Sequence, residues 1–154
     1  MADLSDLYNA RIMELAAAIP PATKLDDPDG SALAHSKLCG STIAVDLKMQ
    51  GRTVAEYGQT VKACLLGQAS ASVMASKIVG TDEAEIRQVA ADMRRMLKEN
   101  GPPPAGRWAD LAVLEPVRAV KARHTSTLLV FEAVVRALDA AAERANLASA
   151  AAPA

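Results

Sequence analysis

The sequence predicts an α+β domain, with strands confined to its first half and helices filling the rest. Ser41, Ile43, Val45, Leu47 and Met49 alternate with Thr42, Ala44, Asp46 and Lys48, the period-two pattern of a half-buried strand. From about Leu66 onward the apolar residues recur at helical spacing instead. The composition is 51% hydrophobic but only 3% aromatic, so the core is aliphatic and alanine-rich, which favours helix. At 154 residues the chain is one domain, long enough to bury a core and too short for tandem enzymes.

The elements follow in order. Leu4, Leu7, Tyr8, Ile12 and Leu15 predict an amphipathic first helix that ends before Pro20-Pro21. Residues 20–36 carry three prolines, Gly30 and no period, and read as a loop. The strand over Ser41–Met49 follows, with Cys39 in phase with its apolar face. Gln50-Gly51 makes a hairpin turn into a second strand, Thr53–Val61, with Tyr57 and Val61 on one side. The small residues Gly67, Ala69, Ser70, Ala71 and Ser72 predict a helix that packs closely, with Cys64 at the strand-to-helix junction. A further helix runs from Asp82 to about Lys98, with Thr81 as N-cap and acidic residues in its first turn, until Asn100-Gly101 and three prolines stop it. Trp108–Leu114 is a short apolar piece, helical or irregular. The last helix, Thr125 to about Asn146, shows one polar stripe of Glu132, Arg136, Asp139 and Glu143, so most of it is buried. Leu147–Ala154 reads as a disordered tail after a single domain over 1–146.

Charge and targeting narrow the function. With 17 basic against 18 acidic residues the chain lacks the electrostatic footprint of a nucleic-acid binder. The opening residues give no secretory signal, and the most apolar stretch, Leu128–Ala142, is broken by Glu132, Arg136 and Asp139, so no membrane span and a cytoplasmic address are expected. Two cysteines do not make a disulfide framework, and a reducing compartment leaves them as free thiols or metal ligands.

Chemistry concentrates at three element ends: Cys39, Cys64 and His124. A thiol at a helix N-terminus, as at Cys64, sits in a field that favours the thiolate, the form that binds metal and attacks sulfur. The same field disfavours imidazolium at His124, leaving a ring able to offer a lone pair. The spacing by itself is silent, because the cysteines are far apart and unlike a close Cys-x-x-Cys pair. Inert buried cysteines and a hydrogen-bonded histidine therefore stand as competing readings. His35 reads as solvent-exposed, and Arg118, Lys121 and Arg123 as a solvated face or the seat of an acidic partner. Gly67-Gln68-Ala69-Ser70 lacks the lysine and spacing of a phosphate loop. A cysteine–histidine hydrolase is disfavoured, since neither cysteine lies in a family-type segment and His124 has no evident orienting acid.

Three segments taken together carry a resemblance: Leu38-Cys39-Gly40-Ser41, Lys62-Ala63-Cys64 with the following Gln68–Ser72, and Arg123-His124-Thr125-Ser126-Thr127-Leu128. Their order resembles the iron-sulfur cluster assembly scaffolds of IscU, SufU and NifU N-terminal type, over roughly residues 4–140, and the stretch Asp82–Asp110 is similar to the insertion of the SufU branch. The resemblance implies a small antiparallel β-sheet with helices packed on one side. It also implies a metal or cluster site. Ser41 stands where that family has an aspartate and Thr125 where it has a third cysteine, so Cys39, Cys64 and His124 are the implied ligand set.

Three protein ligands leave a zinc position open, whereas closed structural sites take four. Hydroxyls at Ser41 and Thr125 stay protonated near neutral pH, so zinc or an iron-sulfur cluster is expected to bind weakly or transiently. The implied function is a scaffold or sulfur acceptor in iron-sulfur cluster biogenesis, more a sulfur-transfer protein than a true enzyme. Cys64 or Cys39 would take persulfide sulfur from a cysteine desulfurase, and other cluster assembly proteins would be further partners. The alternative is a non-assembling paralogue that binds the same machinery and regulates it.

Overall fold

The structure is a computed structural model that describes residues 9–151. Helix α1 (Ala10–Ala17) is capped by Asn9, whose side chain accepts from the Ile12 amide. It buries Ile12, Leu15 and Ala16; Leu4, Leu7 and Tyr8 of the expected first helix lie outside the described residues. Strands β1 (Gly30–His35), β2 (Thr42–Gln50) and β3 (Thr53–Lys62) form an antiparallel sheet in the order β1-β2-β3. Helices α2 (Leu65–Lys77) and α3 (Glu83–Lys98), a 3-10 segment (Gly106–Ala119), a short 3-10 turn (Lys121–Arg123) and the long α4 (His124–Ala151) complete the chain.

The sheet follows the alternation read from the sequence. Ile43, Val45 and Leu47 of β2 point into the core, while Thr42, Ala44 and Asp46 are half-buried on the other face. Gln50 and Gly51 turn the chain, Gly51 at a φ of 64° that an unbranched backbone tolerates best. The register then sets Val45 opposite Gln59 and Ile43 opposite Val61, with one irregularity at Lys48/Met49. Gln59 is a buried polar residue on this inner face: Tyr57 donates to its side-chain oxygen at 2.6 Å, and its amide donates to the Ala71 carbonyl of α2 at 3.1 Å. Burial pushes the Tyr57 phenol far above its ordinary value.

One expectation is corrected outright. Residues 30–35, read as part of a loop, form β1, an edge strand paired with β2 from Gly30↔Leu47 to His35↔Thr42. Its small residues carry little alternation, and pairing with β2 under α4 decides its conformation. The contact is close enough that a Cβ at Gly30 would overlap the Ala137 carbonyl and come within 3.0 Å of the Ala141 Cβ. The loop that precedes β1 lies over the outer sheet face. Thr23 donates its amide to the Gln59 carbonyl at 3.0 Å and passes over Gly58, where a Cβ would come within 2.6 Å of the Thr23 carbonyl.

The helical half matches the sequence except at its boundaries. Helix α2 is buried nearly all round, from Leu66 to Met74, as its small residues allow. Helix α3 begins one residue later than read, because Asp82, rather than Thr81, caps it by accepting from the Ala84 amide at 2.8 Å. Thr81 instead donates its hydroxyl to the Lys77 carbonyl. Trp108 belongs to the 3-10 segment, buried with its indole N–H donated to Glu85 at 2.8 Å. Helix α4 starts at His124 and continues past Asn146 to Ala151. No helix among the described residues is long and apolar enough to cross a membrane.

Candidate functional site

The β2–β3 register brings two of the three sequence-selected residues to one end of the sheet. Thr42 pairs with Lys62, so the loop carrying Cys39 and the junction carrying Cys64 leave the same edge. Cys39 is not on a strand face, as its phase suggested; it is exposed in the β1–β2 loop. Gly40 follows at φ 72°, where the left-handed backbone breaks the alternation. The loop closes through Gly40 N–H to the Ser36 carbonyl at 2.8 Å and Ser36 N–H to the Ser41 carbonyl at 2.9 Å.

These bonds hold two buried hydroxyls against the Cys39 sulfur. Its Sγ lies 3.4 Å from Ser36 Oγ and 2.8 Å from Ser41 Oγ. The bond to Ser36 and then that to Ser41 lower the Cys39 pKa, against a smaller rise from burial, and Arg123 adds a weaker attraction. Hydroxyls that rotate to donate favour the thiolate, the reactive form. Ser36 was not singled out in the sequence. The signal was present in the run Ser36-x-x-Cys39-x-Ser41, but it becomes informative only once the loop is known to close on itself.

Cys64 is half-buried and is the N-cap residue of α2, as its junction position predicted. Its side chain makes no cap bond. Instead Sγ donates to Ser126 Oγ of α4 at 3.5 Å, and Ser126 Oγ donates to the Arg123 carbonyl at 3.2 Å. Gly67 permits this approach: a Cβ there would sit 2.8 Å from the Ala63 Cβ and 3.1 Å from the Ser126 carbonyl. Thr125, by contrast, is exposed on the same turn.

His124, 5% exposed, opens α4. Its Nε2 lies 3.1 Å from both the Val117 and the Arg118 carbonyls. Carbonyl oxygens only accept, so Nε2 carries a proton and donates to them. A ring N–H tied to backbone carbonyl is the usual outer-shell partner of a metal-ligating histidine. Among the described residues no group of three or more His, Cys, Asp or Glu side chains stands close enough to hold a metal ion. The basic face is only partly free: Arg118 bonds the Gly101 carbonyl and Glu115, while Lys121 is exposed. His35 is exposed, as read, though at the end of β1.

No protein-family profile and no curated protein matches the chain. Solved structures do. A nitrogen-fixing NifU-like protein (N-terminal part) from Brucella abortus aligns with a TM-score of 0.89 and 50% identity, over 91% of this chain and 97% of that one. The chain belongs to the IscU/SufU/NifU family. A SUF-system iron-sulfur cluster assembly scaffold from thermophilic Fervidobacterium islandicum AW-1 shares the fold at a TM-score of 0.80 and 17% identity, over 88% and 99% of the two chains. A further structure, of a hypothetical protein, aligns at 0.76 with 19% identity. The α+β fold implied by the resemblance, an antiparallel sheet with helices, is thus the fold of this family member.

Proposed function

We propose that this family member is a scaffold or sulfur acceptor in iron-sulfur cluster biogenesis. The observation that carries the reading is the 50% identity to a NifU-like N-terminal domain, spanning nearly all of both chains. Cys39 and Cys64 are the acceptor thiols. Either thiolate attacks the terminal sulfur of a persulfide on a cysteine desulfurase; the new S–S bond forms as the old one breaks, and the desulfurase leaves as its own thiolate. The exposed Cys39, held by two hydroxyls, is the readier nucleophile. Nascent cluster or metal is cargo; the sulfurs of Cys39 and Cys64 and Nδ1 of His124, which do not stand as a preformed group, would close around it. With hydroxyls at Ser41 and Thr125, zinc or cluster is held weakly or transiently. We place the protein in the cytoplasm, with other cluster assembly proteins as further partners.

Ser41 and Thr125 favour a second reading, in which the protein docks on the assembly machinery and regulates it. One experiment separates the two. The protein is incubated with a cysteine desulfurase and L-cysteine, and intact-mass measurement follows the gain of one sulfur on the wild type, Cys39→Ser and Cys64→Ser. Sulfur uptake that falls in these variants supports the acceptor. Unlabelled thiols in a protein that still co-purifies with the desulfurase transfer the case to the regulator.

A further inference from the structure

The thiol end of the molecule is built from three stretches of chain: the β1–β2 loop, the β3-to-α2 junction and the 3-10 turn that leads into α4. Residues 35–42, 62–68 and 116–131 contain no aspartate or glutamate, although the chain as a whole has 18 acidic residues against 17 basic ones. The same stretches carry Lys37, Lys62, Arg118, Lys121 and Arg123. Arg118 is occupied internally, by the Gly101 carbonyl and Glu115. Lys37, Lys62 and Lys121 are exposed and Arg123 is half-buried; none of these four side chains has an ion pair or a hydrogen bond among the described residues. Positive charge is thus concentrated, without a counter-charge, around the two sulfurs. The loop closed by Gly40 N–H on the Ser36 carbonyl presents Lys37, Leu38 and Cys39 together at its tip. Leu38, 76% exposed, is the most exposed large apolar side chain among the described residues.

We propose that the thiol end docks an acidic protein surface bearing an apolar socket. Leu38 enters the socket, and Lys37, Lys62, Lys121 and Arg123 meet carboxylates around it. Charge complementarity selects the acidic occupant, because the stretches that build this end supply no carboxylate to their own cations. Leu38 selects a protein. A free anion or a nucleic-acid backbone would satisfy the cations and leave the apolar side chain in water, whereas a socket buries it at the centre of a polar rim. The anchor is the immediate neighbour of Cys39, so the partner that fits is the one whose sulfur has to reach that thiol. The inference rests on the proposed function for naming that partner as the persulfide donor; the regulatory reading, which also docks, uses the same face.

The test titrates the intact chain against the cysteine desulfurase of the uptake experiment, without L-cysteine, and reads affinity by interferometry between about 0.05 and about 0.5 M salt. Binding is expected to weaken as salt rises. Leu38→Ala should weaken it about tenfold, as for a truncated anchor. Lys37→Glu and Lys121→Glu should each weaken it severalfold, and together by about tenfold or more with a flatter salt dependence, while Lys37→Arg with Lys121→Arg should bind like the wild type. Arg52→Glu makes the same change of net charge at the hairpin end of the sheet and should leave affinity unaltered. All these positions are exposed, so the fold is retained. No binding, affinity indifferent to the charge reversals or to Leu38→Ala, or an equal loss in Arg52→Glu would overturn the proposal. So would reversals that abolish binding of a single-stranded oligonucleotide and spare the desulfurase. Docking that follows the expected pattern while no sulfur is taken up removes the acceptor reading alone; uptake at a rate indifferent to Leu38, Lys37 and Lys121 removes this inference alone.

Discussion

Cys39 gathers most of the chemistry into one side chain. Its thiol is exposed at the loop while the hydroxyls that touch it are buried, so the sulfur meets solvent from a pre-set cradle. Bonds from Ser36 and Ser41 lower its pKa, and the sign of the consequence is fixed. The folded state gains from ionised Cys39 at pH above the ordinary thiol value, and that gain is lost as pH falls through the lowered folded value. In a Cys64→Ser background, alkylation of Cys39 by iodoacetamide should therefore persist to lower pH than for a model thiol. Ser36→Ala and Ser41→Ala should each move the profile back up; profiles that overlay the parent would remove the hydroxyls from the account. The sequence made Cys39, Cys64 and His124 visible because soft donors at element ends are rare. It did not reveal Ser36 or Ser126, because serines are common and their roles depend on which loop closes and which helices touch.

At the level of elements, glycines mark where backbones come together. Gly30 lets α4 lie directly on β1, and Gly30→Ala should destabilise the fold by about 3 kcal/mol or more, the upper range for forcing volume into a packed contact. Urea unfolding followed by circular dichroism would measure it; a loss under 1 kcal/mol would mean the helix can simply lift away. The same contact explains why β1 was hidden. Gly30, Ser31, Ala32 and Ala34 have little intrinsic strand preference, and the strand exists because β2 offers a partner and α4 a cover. By contrast, β2 was legible because its alternation is strict, and α3 because its acidic first turn, buried face and terminal Asn-Gly agree, even though the cap is Asp82 and not Thr81.

For the molecule as a whole, one buried hydrophobic cluster joins the sheet to the helices. Leu47 of β2, Ile86 and Met93 of α3, Trp108 of the 3-10 segment and Leu129 of α4 belong to one buried cluster, while Cys39 lies outside it. On the proposed weak or transient binding, cargo would add only its linkage energy, which is small for a weak ligand. Treatment with EDTA should shift Tm by less than about 2 °C for this 154-residue chain. A drop of 10 °C or more in calorimetry would mean that metal is structural and that the hydroxyl-substituted site is stronger than its donors imply.

The crossing of Thr23 over β3 has a bearing on how the protein behaves in a crowded solution. The outer strands of a three-stranded sheet turn amides and carbonyls outward, and any left unpaired invite strands from other molecules to add on; on β3, residues 80–83 already bond the end at residues 52–54. By taking the Gln59 carbonyl, Thr23 removes an acceptor from one flank, and the overlying chain blocks approach at Gly58. That strap therefore shields part of the β3 flank from pairing with a strand of another chain.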